Sequence, residues 1–177
     1  MVSVRRFAAL AAAIGLTLVM SSVALAGGSH RTVQILDACD GPSFNAVIGP
    51  GACARDEGVT FDEFIGQLVS MGRAPAWRFA PDHLKIAAGG TIDAPNRGGE
   101  FHTLTEVANF GGGCVPQLNA LLGLTEVPEC ANPGLFVTTG AAPGGTVVTG
   151  PLAAGTHRFQ CLIHPWMRTT VEVGRAD

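Results

Sequence analysis

Apolar positions change period several times along this chain, and each change predicts an element. Thr32 to Leu36 is a short β-branched run and reads as a strand. A loop-rich stretch follows, with Gly41-Pro42 and Pro50-Gly51. Phe61, Phe64, Ile65, Leu68 and Val69 then recur at helical spacing. Thr60 with Glu63 makes a capping box at the start of this helix, and Gly72 marks its end. Its apolar stripe is expected to pack on a sheet. From Trp77 the period falls to two. Trp77 and Phe79 alternate with polar or small neighbours, and Leu84 and Ile86 alternate with His83 and Lys85. Gly89-Gly90 turns the chain, Thr91-Ile92 resumes a strand, and Phe101 to Val107 is extended.

The alternation then breaks. Gly111-Gly112-Gly113-Cys114 leads to Pro116, a favourable first helical residue, and Leu118, Leu121 and Leu122 follow at helical spacing up to Gly123. Residues 111–133 are therefore expected to be an inserted loop with a short helix. Strand signals return at Phe136–Thr138, Thr146–Thr149, Thr156–Leu162 and Thr169–Val173. Many short strands with Gly/Pro turns predict an all-β antiparallel sandwich carrying short helical insertions.

The N-terminus stands apart from this pattern. Arg5 and Arg6 precede an apolar run from Phe7 to Val19, and Ala24-Leu25-Ala26 fits a small-x-small cleavage site. Residues 1–26 are expected to be a secretory signal peptide. The run is short for a bilayer span of about 20 residues, and no later run can span. The mature chain is thus expected to be soluble and periplasmic or extracellular. A length of 177 residues suits one domain, with 27–75 as an N-terminal extension and 76–177 as the core. The formal charge of −3 carries no basic nucleic-acid footprint.

Export changes the meaning of the five cysteines, because an oxidising compartment permits disulfides. Cys39 with Cys53, and Cys114 with Cys130, would each close a short local loop, although four cysteines allow three connectivities. Cys161 is the odd one. It opens the stretch Cys161-Leu162-Ile163-His164-Pro165-Trp166-Met167, which offers a thiolate, an imidazole and a thioether within seven residues. His102, on an earlier strand, can add a second imidazole. Two imidazoles and a thiolate with a weak thioether suit copper cycling between Cu(I) and Cu(II). Zinc fits less well, since its structural sites use four strong ligands and Met is a poor one.

The spacing Cys-x2-His-Pro-aromatic-Met resembles the copper loop of cupredoxins, most of all that of amicyanins. Phe79 to Ile86, Gly89 to Ile92, Asn96 and His102 to Thr105 resemble the earlier strands of the same fold. The resemblance covers roughly residues 76–174. It implies a Greek-key sandwich with one type 1 copper ion, held strongly by His102, Cys161 and His164 and weakly by Met167. Thr103 would brace the site by hydrogen bonding. It implies a monomeric one-electron carrier and not an enzyme. A protein redox partner would dock near an exposed edge of His164, ringed by Pro165 and Trp166. Copper storage, delivery or sensing is the alternative role. His83 and His157 are expected to face solvent.

Overall fold

The computed structural model describes residues 29–175, so the expected signal peptide lies outside the described residues. The Thr32–Leu36 run is not one strand. It divides at Val33 into β1 (His30–Thr32) and β2 (Gln34–Leu36), which belong to different sheets. A helix that the sequence did not announce follows, α1 (Gly41–Val47). Its Gly-Pro start reads as a breaker, yet Pro42 falls in the first turn, where no amide hydrogen is needed. Asp40 caps it by accepting from Ser43 N. The helix α2 (Phe61–Met71) has the expected capping box of Thr60 and Glu63, and it ends on Gly72 at φ 68°. Phe64 and Leu68 are its buried residues.

The strands β3 (Arg78–Ala80), β4 (His83–Ile86) and β5 (Thr91–Pro95) come next. The extended run after Phe101 is two short strands with different partners, β6 (His102–Thr103) and β7 (Thr105–Glu106). The inserted helix α3 (Pro116–Leu122) stops at Gly123 as expected. The next expected strand is instead one helical turn, α4 (Leu135–Thr138). Thr138 N bonds back to Gly134 O, while Phe136 packs with Val107 and Leu162. The chain finishes with β8 (Gly140–Ala141), β9 (Thr146–Val148), β10 (Gly155–Gln160) and β11 (Arg168–Val173).

One sheet has the order β1-β5-β9 and another β4-β11-β10-β7, with β2-β3 and β6-β8 as separate ladders. Ile92, Ala94 and Val147 from the first sheet share one core with Phe159, Val171 and Val173 from the second, which makes the fold a β-sandwich. Most pairs are antiparallel, but β1–β5 and β4–β11 are parallel. Long connections between the sheets bring strands together in either direction, so the sandwich is mixed where antiparallel pairing alone was expected. Val33, Ile35, Phe44, Phe64 and Leu68, all from the first part of the chain, lie in that same core. Both expected disulfides are present, Cys39–Cys53 and Cys114–Cys130, and Cys161 is a buried free thiol. Among the described residues no helix is long and apolar enough to cross a membrane.

Candidate metal centre

β10 ends at Gln160, and β11 starts at Arg168, so residues 161–167 must turn between two paired strands. The turn is tied by its own backbone. Cys161 N donates to Met167 O, and Met167 N donates to His164 O. Arg168 Nε also donates to Pro165 O at 2.7 Å. This draws Cys161 and His164 together below β6, which carries His102. The result is a triangle of donor atoms. Cys161 Sγ lies 3.8 Å from His102 Nδ1 and 3.9 Å from His164 Nδ1, and the two nitrogens are 3.2 Å apart. All three residues are buried, with Cys161 and His102 at 0% exposure and His164 at 4%.

The triangle can be tested against a metal ion. With metal–nitrogen bonds of ~2.0 Å and a metal–sulfur bond of ~2.3 Å, its sides subtend angles of about 106°, 124° and 130°. Each of the three spacings is therefore one that a single ion bound by all three atoms could span. Met167 is also fully buried at the end of the same turn. The donor set of one thiolate, two imidazoles and a thioether would suit a soft or borderline metal ion.

The field of the site favours the ligating form of the thiol. Burial alone would push the Cys161 pKa up, but His102 and His164 outweigh it and hold the thiol well below its usual range. Burial likewise disfavours a charged His102. The Asp37 carboxylate and the Cys161 thiolate reverse that and raise its pKa to about 9.

Asp37 is the residue that the sequence did not reveal. His102 Nε2 donates to its Oδ2 at 2.8 Å, with both side chains fully buried. Gly99 N and Glu100 N also donate to the carboxylate, and Cys39 N completes the set. Burial raises the Asp37 pKa, but these bonds win and lower it to about 2. This fixes which histidine nitrogen faces Cys161, the usual task of a carboxylate behind a metal-binding imidazole. Glu100 stands 3.7 Å from His164 Nε2 and accepts from Trp77 Nε1. Its pKa is raised, chiefly by burial. Asp37 lies 65 positions before His102 in the chain, and no local spacing rule connects them.

Leu162 N donates to Thr103 Oγ1 at 2.9 Å, so Thr103 braces the residue after Cys161. The insertion packs beside it, because Cys114 N donates to Leu162 O. His164, however, presents no open edge. The Phe64 ring on α2 meets it edge-on at 6.3 Å, and Trp166 lies at 5.4 Å. The imidazole instead lies at the floor of an apolar groove of about 780 Å³ between α1, α2 and α3, lined by Phe61, Ile65, Leu118 and Ile163. His83 is exposed, whereas His157 is half-buried with its two nitrogens on Glu106 and the Ala153 carbonyl.

The fold resembles solved structures of cupredoxins. A purple cupredoxin from Nitrosopumilus maritimus overlaps with a TM-score of 0.43 at 15% identity, covering 81% of this chain and 98% of that one. Plastocyanin from Dryopteris crassirhizoma gives 0.38 at 13%, covering 81% and 99%. A reduced, Cu(I) form of an amicyanin variant gives 0.36 at 21%, covering 57% and 76%. No protein-family model and no curated protein matches the sequence. TM-scores below 0.5 leave the chemistry of the site to be judged by its own donor atoms.

Proposed function

We propose that this protein is a one-electron carrier with a single copper ion held by His102, Cys161 and His164 and more weakly by Met167. Copper in such a set supplies Cu(I)/Cu(II) cycling. The observation that carries the proposal is the close, buried triangle of two imidazole nitrogens and one thiol sulfur. The chain holds each donor from behind. Asp37 fixes the His102 ring, the Cys161–Met167 backbone bond closes the turn, and Thr103 anchors Leu162. Donors held this firmly need little movement when charge changes, which favours rapid electron exchange over chemistry on a substrate.

A partner protein would dock over the groove above His164, whose rim residues Val47 and Ile48 are 61% and 57% exposed. Storage or delivery would require the metal to leave, and donors 0–4% exposed favour retention. Export to an oxidising compartment is in keeping with the N-terminal pattern and with the two disulfides. The test is the visible spectrum after loading with Cu(II). An intense thiolate charge-transfer band is expected, and Cys161→Ser should abolish it. A wild-type protein that takes up zinc alone, or stays colourless with Cu(II), overturns the proposal.

A further inference from the structure

A second cavity, of about 440 Å³, lies on another side of the 161–167 turn and differs in character from the apolar groove. Arg73, Arg78 and Arg168 all line it, and Asp82 is the one carboxylate in its wall. None of these arginines forms an ion pair among the described residues. Arg78 makes only long contacts, at 3.4 and 3.5 Å, to the Pro75 and Ala76 carbonyls. Arg168 is half-buried. Its Nε and Nη2 donate to Pro165 O and Gly111 O, and its guanidinium lies over the Phe110 ring at 5.1 Å. Those contacts orient the plane but leave Nη1 without an acceptor and the charge without a counter-ion. A half-buried, uncompensated guanidinium is costly unless something anionic meets it. Trp166, in the same wall, has a buried Nε1–H with no acceptor. Three guanidinium groups facing a single carboxylate around one cavity suit an anionic ligand.

We infer that this cavity is a binding site for a small oxyanion, a free phosphate or carboxylate compound, with Arg168 as its fixed donor and Arg73 and Arg78 closing from the rim. Planar guanidinium forks suit such anions, which they meet with paired N–H···O bonds. The site does not depend on copper, since none of the three arginines belongs to the donor triangle.

Inorganic phosphate and citrate, titrated into the purified metal-free protein at fixed ionic strength, test this by NMR. The chain has two tryptophans, so the indole N–H resonance of Trp166 is readily assigned with Trp166→Phe. One of the two anions should shift that resonance along a saturable one-site curve, and chloride should not. Replacing both exposed arginines, Arg73→Gln with Arg78→Gln, leaves the turn untouched and should weaken binding about tenfold or more. A flat titration with both anions overturns the inference. So does a curve unchanged in the double variant. A repeat with metal-loaded protein separates this outcome from the fate of the copper proposal.

Discussion

Asp37→Asn removes one negative charge from behind His102 and leaves the side-chain volume almost unchanged. Asp37 Oδ2 is 2.8 Å from Nε2 of the imidazole. A metal on Nδ1 of the same ring would then lie ~6–7 Å from the carboxylate. At an effective dielectric constant of about 20, a unit charge at that distance is worth roughly 2.5 kcal/mol. For one electron that is about 100 mV. A negative charge stabilises the oxidised, more positive state, so its removal should raise the reduction potential by that amount. Asparagine also places an amide donor against N–H groups that now find a carboxylate oxygen, so a loss of about 1–3 kcal/mol in stability should accompany it. A redox titration followed at the visible band measures the potential, and denaturant unfolding measures the stability. A folded, coloured variant whose potential is unchanged or lower would show that the Asp37 charge is not felt at the metal.

Met167→Leu should keep the visible band and raise the potential, because a drier site disfavours the extra charge of Cu(II). Met167→Gln should lower the potential by adding a harder oxygen donor, and loss of copper from both variants would rule out a weak axial role. For His157, burial opposes protonation, but the Ala153 carbonyl and the Glu106 carboxylate outweigh it and raise its pKa above 6.5. Its stabilising contribution is therefore full below pH ~6.5 and is lost as pH climbs through the raised folded value. The melting temperature should fall across that window more in the wild type than in Glu106→Gln, and parallel curves would dismiss the His157–Glu106 clip. Replacing Cys114 and Cys130 together by Ser opens a loop of 16 residues and should cost about 3 kcal/mol in denaturant unfolding while the band survives. An unchanged midpoint would mean that the insertion is held by packing alone.

Elements with local signals were legible in the sequence. The capping box at Thr60, the stop at Gly72 and the Pro116–Gly123 helix each depend on residues a few positions apart. The Cys161–Met167 turn is legible for the same reason, since its three donors lie within seven positions. What escaped depends on distant contacts. The parallel pairing of β4 with β11 joins residues far apart in the chain. The switch at Val33, which sends β1 and β2 to different sheets, leaves no trace in a five-residue β-branched run. The cover over His164 comes from Phe64, which looked like ordinary core packing on an amphipathic helix. Asp37 followed a β-strand and preceded a cysteine. Nothing local marked it as different from any other loop acid.

Asp37 also has a steric consequence. A Cβ on Gly98 would collide with its carboxylate, and one on Gly99 would come 2.7 Å from Cys39 Sγ and 2.5 Å from Arg55 Cγ. No side chain can be added at either position without dislodging the acid, the disulfide or both. The two glycines, Glu100 and His102 thus pack as one unit with Asp37-x-Cys39, although some sixty positions separate the halves. Distant kin could be sought by that divided signature, Asp-x-Cys followed by Gly-Gly-Glu-x-His. A descendant that lost Gly98 should have lost the aspartate as well, and one that lost Gly99 should have lost the Cys39 disulfide.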